Sequence, residues 1–402
     1  LVATAAFAPL SIVGVQIATG VLLAGVLLAL ATGERRLVTA ELLWPVLAFL
    51  VVCYLASLVS PVALPWRAWT APRPVLLLLV VPAALRVVPE PERTLKRVAL
   101  TLLGVGVAVA LLGLYQRGSG FDLNHALGLR AAPFRVPSPQ GDGFSAVGTF
   151  NSRLTFSAIE AGVLLVALAI GLGGGSWKVR AFAALAALPV AAAITATYSR
   201  AAWIGVGLGA LILVSGLRRQ AAMVLLALAT TAAVAGSSVP AVRERAASAL
   251  RATANQDRLF IWSRAGEVIA DHPVLGVGVY GYPVVAGPYY DRVDPLFPMR
   301  TWAHDMPMTL LAETGIGGLF CWIWMLIAAA AVGWRELRRR DGLARAIRLG
   351  ALAGAAAFVS YGLFHDVLYD GESALTMFFL AGLACAAGPR EARAPEPASE
   401  LV

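Results

Sequence analysis

Trp302-Ala303-His304-Asp305-Met306-Pro307 runs without a break into Met308-Thr309-Leu310-Leu311-Ala312-Glu313-Thr314-Gly315. A short polar stretch followed at once by an apolar one is the pattern of a loop entering a membrane helix. Outward from it, charged residues punctuate apolar segments at about 1–14, 16–33, 41–59, 74–88, 98–115, 152–172, 181–198, 201–216, 221–236, 309–333, 348–365 and 373–388. Of the 402 residues, 59% are hydrophobic and 14% charged, and mean hydropathy is +0.77. A soluble domain has about a quarter of its residues charged, so that class is excluded. The expectation is an all-α polytopic membrane protein of about 12 transmembrane helices, with one integral domain over 1–388 and a short cytoplasmic tail over 389–402. Residues 1–33 fit two spans or one, because no charge divides the run before Glu34. Cys53, Cys321 and Cys385 all lie in apolar runs, where a thiol behaves as a small hydrophobe.

Basic residues fall in alternate short connections: Arg35 and Arg36, Arg93 to Arg97, Lys178 and Arg180, Arg218 and Arg219, and Arg335 to Arg340. The positive-inside rule makes that side cytoplasmic. The two long loops, about 116–151 and 237–308, then lie outside with the tight turn Thr197-Tyr198-Ser199-Arg200, and the chemistry is expected there. Long loops are exempt from the charge rule, so their many arginines leave the orientation unchanged. Guanidinium forks match phosphate oxygens, which suggests an anionic ligand; lipid headgroups are the alternative.

Within those loops several side chains stand out. His304 can exchange a proton near neutral pH. Arg200, flanked by Tyr198 and Trp203, is held where two spans meet with almost no loop, either for function or snorkelling to headgroups. Arg153 opens the span 152–172 on the same side. Between Asn255 and Pro273, Ile261, Trp262, Ala265, Val268 and Ile269 recur at helical spacing, an amphipathic helix with Arg258 on the face of Trp262 and Arg264 elsewhere. His272 is expected to cap that helix. Asp366 and Asp370, near His365, are expected to pair with loop arginines, with acceptor binding as the alternative. Tyr280, Tyr282, Tyr289 and Tyr290 read as an interfacial aromatic belt or a sugar-stacking surface. HExxH, CxxC and DxD patterns are absent from the chain.

Four ordered motifs carry a resemblance: Gly148-Thr149-Phe150-Asn151; Ser199-Arg200-Ala201-Ala202-Trp203; Arg258 to Trp262 with Asp271-His272-Pro273-Val274-Leu275-Gly276-Val277-Gly278; and His304 with Leu310 to Gly315. In these the chain resembles the O-antigen ligase and O-antigen polymerase superfamily of bacterial envelope glycosyltransferases, over residues 148 to about 320. The resemblance implies a GT-C-like membrane fold at the inner membrane with a helical periplasmic region. It also implies transfer of a glycan from undecaprenyl diphosphate to a hydroxyl of lipid A-core, inverting, without nucleotide sugar, metal or other cofactor. His304, Arg200 and Arg258 are then the catalytic candidates, and Arg264, Arg153, Asp305, Tyr198, Trp203 and Trp262 the substrate-binding ones. Asp305 stands where the family often has Asn, and a neighbouring carboxylate would favour the imidazolium form of His304. A polysaccharide polymerase or a protein O-oligosaccharyltransferase would use the same donor. A lipid-linked oligosaccharide transporter is the alternative of another class, and would place ionisable residues near the bilayer midplane, where these spans read as almost free of charge.

Overall fold

The structure is a computed structural model and describes residues 1–33, 37, 39–138, 141, 143–248, 256–294 and 302–386. The expected tail over 389–402 lies outside these residues, as do Arg35, Arg36, Arg251 and Arg300. The described residues are almost wholly helical, and their β pairing is one isolated bridge between Pro137 and Phe144. The chain runs through α1 (Val2–Phe7), α2 (Ile12–Ala31), α3 (Ala40–Leu58), α4 (Leu77–Val87) and α5 (Pro91–Ser119). Then come the short α6 (Leu123–Ala126), α7 (Arg153–Gly173), α8 (Trp177–Ala196), α9 (Arg200–Gly216) and α10 (Arg219–Ser237). The second loop region carries α11 (Pro240–Ala247), α12 (Gln256–Asp271), α13 (Tyr282–Val285) and α14 (Gly287–Asp291). The chain closes with α15 (Met306–Arg338), α16 (Gly342–Gly362) and α17 (Gly371–Cys385).

Eight helices among the described residues are long and apolar enough to cross a membrane: α2, α3, α4 with the two 3₁₀ turns before it, α5, α7, α8, α15 and α16. Helices α9, α10 and α17 are apolar but shorter. The segment expected as a span at 1–14 is instead the six-residue α1, about 9 Å long, and a turn; only α2 is a long helix within residues 1–33. Helix α7 sits at the centre, buried on all sides from Thr155 to Val166, whereas α2 turns Val13, Ile17, Val21 and Leu28 outward. Glycines let α16 close on α7: a Cβ on Gly350 would meet the Val166 Cα at 2.7 Å, and one on Gly354 would meet the Gly162 Cα at 3.3 Å. Small residues four apart do this in membrane bundles generally. The span interiors were expected almost free of charge, but Glu160 is fully buried within α7, its carboxyl oxygens without a hydrogen-bond partner among the described residues.

The span expected at 309–333 is broken. Gly315 leaves helical geometry (φ 61°, ψ −166°), so α15 is a short segment, 306–314, followed by a long apolar one. A helix break frees backbone groups that must be satisfied when buried. The stretch Pro273 to Gly278 satisfies them: Val277 N–H donates to Ala312 O at 2.9 Å, Gly278 N–H to Glu313 O at 2.8 Å, and Ile316 N–H to Pro273 O at 3.0 Å. A Cβ on Gly315 would stand 2.1 Å from Val274 O, and one on Gly276 would stand 2.3 Å from the Glu313 carbonyl carbon. Both glycines have positive φ, and only glycine allows this approach. The third and fourth motifs are therefore two halves of one joint, and it sets the direction from which His304 enters the bundle.

Candidate functional site

Helix alternation brings the described residues of the 120–152 loop, the 197–199 turn, residues 238–248, 256–294 and 302–305, and the 363–370 loop to one end of the bundle. The turn between α8 and α9 is the hub. Tyr198 has φ 52°, and Ser199 caps α9 by accepting the Ala202 N–H at 3.3 Å. Arg200 and Arg153 are the first residues of α9 and α7, where the helix dipole is positive. Arg153 donates to Thr197 O at 2.7 Å and Arg245 to Tyr198 O at 3.1 Å. Arg117 donates to the Tyr198 hydroxyl at 3.1 Å and lies over its ring, and Arg200 donates to Ser248 Oγ at 3.3 Å. Burial lowers the Arg245 guanidinium from its ordinary range, and the charges of Arg200, Arg153 and Arg258 push it further the same way.

Arg258 joins this group from α12. It donates to Phe364 O at 3.1 Å with its guanidinium 5.8 Å from the Phe364 ring centroid. Burial lowers its pKa and Arg200 adds to that, while Asp305 and Asp366 act in the opposite sense at longer range. Among the described residues no carboxylate comes within 4 Å of Arg153, Arg245 or Arg258. Like charges gathered at two helix N-termini, bonded chiefly to carbonyl oxygens, give this end of the bundle a concentration of positive charge.

His304 sits beside it, also with positive φ, at 51°. Its N–H donates to Asp366 Oδ2 at 2.9 Å, and the same oxygen lies 3.8 Å from the ring Nδ1. The other Asp366 oxygen accepts from Thr309 Oγ1, and the carboxylate is buried. Burial of the imidazole lowers its pKa below 6.5; Asp366 opposes this, and His365 and Arg258 reinforce it. The net effect disfavours the imidazolium, the reverse of the expected effect of Asp305. Asp305 caps α15 instead, accepting the Met308 N–H at 2.9 Å, with Pro307 in the first turn. An Asn oxygen could accept the same bond, so this departure from the usual pattern is absorbed locally. Burial raises the Asp305 pKa.

The remaining site residues from the sequence divide. Trp262 Nε1 donates to Ala303 O at 3.1 Å and fixes the backbone just before His304. Trp203 is half-buried and packs against the bundle core. Arg264 pairs with Glu267 at 2.8 Å and lies over Phe260, so it is not brought to the other arginines. Asp366 and Asp370 do not pair with loop arginines among the described residues. Asp370 accepts from Thr155 Oγ1 at 2.8 Å and Ser373 Oγ at 2.6 Å and faces His365 Nε2 at 3.8 Å. Tyr282, Tyr289 and Tyr290 are buried under α12, neither belt nor open surface. Gly148 of the first motif is clamped by Gln116, whose Nε2 donates to its carbonyl at 2.7 Å while its Oε1 accepts the Gly148 N–H at 2.8 Å.

Sequence reasoning missed Asp366 as the partner of His304, Arg245 as a member of the arginine group, and Glu313 as a brace. Glu313 is fully buried and accepts from Tyr280 N at 2.9 Å, Tyr282 N at 3.2 Å and the Tyr369 hydroxyl. An acid inside an apolar run was the available signal. Tyr198, Tyr280 and His304 are the non-glycine residues with positive φ among the described ones, and all three lie at this end. Each such residue costs on the order of 1–3 kcal/mol, and strain of this kind concentrates at functional sites.

Residues 183–323 match the family model described as O-Antigen ligase, which spans the Ser199–Trp203 motif, Arg258, His304 and the Gly315 break. No curated protein matches. Among solved structures, a chain described under "Structural coordination of polymerization and crosslinking by a peptidoglycan synthase complex" is 19% identical, with 87% of this chain and 97% of that chain covered and a TM-score of 0.45.

Proposed function

We propose that the protein, whose residues 183–323 match the family model described as O-Antigen ligase, transfers a glycan from undecaprenyl diphosphate to a hydroxyl of lipid A-core, at the periplasmic face of the bacterial inner membrane. One observation carries this reading: a half-buried histidine, whose burial disfavours its charged form, stands next to a group of arginines bonded chiefly to carbonyl oxygens. Such a pair of features suits one reaction, in which a hydroxyl loses a proton while a diphosphate gains charge. The acceptor oxygen attacks the anomeric carbon as His304 Nε2 takes its proton. The anomeric C–O bond breaks with inversion, its electron pair stays on the diphosphate, and Arg200, Arg258, Arg153 and Arg245 meet the growing charge.

General-base help of this kind contributes about 10²- to 10⁴-fold, and a hydrogen bond to a charged group about 1.5–3 kcal/mol. Asp366 Oδ2 lies 3.8 Å from Nδ1, and a closer approach on substrate binding would hold the proton there and leave Nε2 as the base. The periplasmic side is supported by the basic residues at the other end of the bundle, among them Arg180, Arg218, Arg335 and Arg339. Reconstitution of the purified protein in vesicles with undecaprenyl-diphosphate glycan tests the reading. Lipid A-core, a polysaccharide and a protein are offered separately. Extension of lipid A-core by the wild type and none by His304→Ala is the expected result; transfer by His304→Ala at the wild-type rate refutes the assignment.

A further inference from the structure

Three half-buried rings stand beside His304. Trp302, two residues before it, stacks on Tyr369 with centroids 4.9 Å apart and planes at 23°. Tyr280 meets both edge-on, at 5.2 Å from Trp302 and 4.8 Å from Tyr369. An interfacial belt consists of separate rings at headgroup level. These three form one wall braced from inside, since Glu313 accepts both the Tyr280 N–H and the Tyr369 hydroxyl. Tyr280 is also held at φ 60°, a backbone state that a bulky residue keeps only under constraint. At its edge, the exposed Arg67 is near enough for its charge to act on Tyr280.

The loop between α16 and α17 relates this wall to the rest of the site. Within six residues, Phe364 O holds Arg258, Asp366 holds His304 and Tyr369 carries Trp302. Along that segment the base lies between the arginines and the rings. A neutral sugar has little to gain from a guanidinium cluster, but the C–H face of a pyranose packs well on the negative face of an aromatic ring. We propose that the Trp302–Tyr369–Tyr280 wall is a pyranose-binding subsite that seats the terminal neutral sugar of the acceptor with a hydroxyl toward His304. The proposal rests on the glycosyl-transfer reading above and adds to it the class of the acceptor's reacting end.

Two probes separate the two ideas: a series of neutral methyl pyranosides (gluco, galacto and N-acetylglucosamine) and farnesyl diphosphate. Both are titrated against the full-length protein in lipid nanodiscs, with ligand-observed magnetic resonance as the readout. Trp302→Leu should weaken pyranoside binding by tenfold or more and leave farnesyl diphosphate within twofold, while Trp302→Phe retains most of the pyranoside affinity. Arg200→Ala should do the opposite. Pyranoside binding unchanged in Trp302→Leu, or undetectable in the wild type, overturns the subsite. Parallel loss of both ligands in a Trp302→Leu protein of wild-type thermal stability also overturns it, because the wall would then be scaffold. Farnesyl diphosphate binding that ignores Arg200→Ala and Arg258→Ala overturns the transfer reading alone.

Discussion

The two ends of the bundle use arginine in opposite ways. At the end with short connections, Arg335 pairs with Glu41 at 2.5 Å and Arg339 with Glu336 at 3.2 Å. Arg345 donates to Leu337 O and Gly216 O, at the last turns of α15 and α9, where a cation complements the helix dipole. At the loop end, Arg153 and Arg200 begin their helices, so the dipoles oppose them, and Arg245 and Arg258 add like charge. Carbonyls beyond α8 and α16 take up part of this charge. One end sets its cations against carboxylates and helix C-termini; the other gathers them at helix N-termini, where under the proposed function they meet the donor diphosphate.

The sharpest break between the two ends is His304→Ala. Its rate of transfer should fall by about 10²-fold or more with farnesyl diphosphate affinity held within twofold, as read by single-turnover transfer and direct titration. Next comes the arginine contrast. Arg200→Ala and Arg258→Ala should each lower kcat/KM about 10- to 150-fold, the equivalent of about 1.5–3 kcal/mol. Arg335→Ala, at the other end, should stay within twofold in the same assay. Equal losses at both ends would remove the distinction.

A third test addresses the joint that carries the site. Gly315→Ala places a Cβ against Val274 O in a left-handed backbone, and Glu313→Leu strands two N–H groups and a hydroxyl. Each should lower thermal stability by several degrees, the cost of a buried unsatisfied group being about 1–3 kcal/mol; an unchanged melting temperature would mean that the break tolerates loss of its lock.

The pH dependence is a smaller effect. Because the His304 pKa is lowered, the base is fully available at pH 7, and kcat/KM should fall only as the pH drops through that lowered value, below 6.5. Arg258→Gln removes one of the lowering influences, so the acid limb should move upward in the residual activity. Smallest of all is Asp305→Asn: the cap on Met308 survives, and activity is expected within about threefold of wild type.

Hydropathy and the spacing of charges were enough to read the helical membrane class, because burial in lipid requires long apolar runs whatever their packing. That His304, Arg200, Arg258 and Arg153 fall at one end of the bundle was legible too, the first three from the ordered motifs and Arg153 from its place at the start of a span. Arg264 was read as part of the same set, yet helical phase alone could not say that Glu267 would take it. Asp305 lies next to His304 in sequence but turns to cap its own helix, and a carboxylate 62 residues away faces the imidazole instead. Of the two readings open for residues 1–33, the structure has one long helix, the first stretch making six helical residues and a turn.

By itself, the sequence determined that the protein is a helical membrane protein, which end carries the long loops, and which residue types are available there. Those properties follow from transfer free energies and local spacing, which every residue carries with it. Tertiary structure alone decided that the Pro273–Gly278 loop locks the break at Gly315, that Asp366 rather than Asp305 faces the His304 ring, and that Trp302, Tyr369 and Tyr280 form one wall. Each of these depends on contacts between segments distant in the chain, where hydrogen-bond geometry and steric fit, not composition, select the partner.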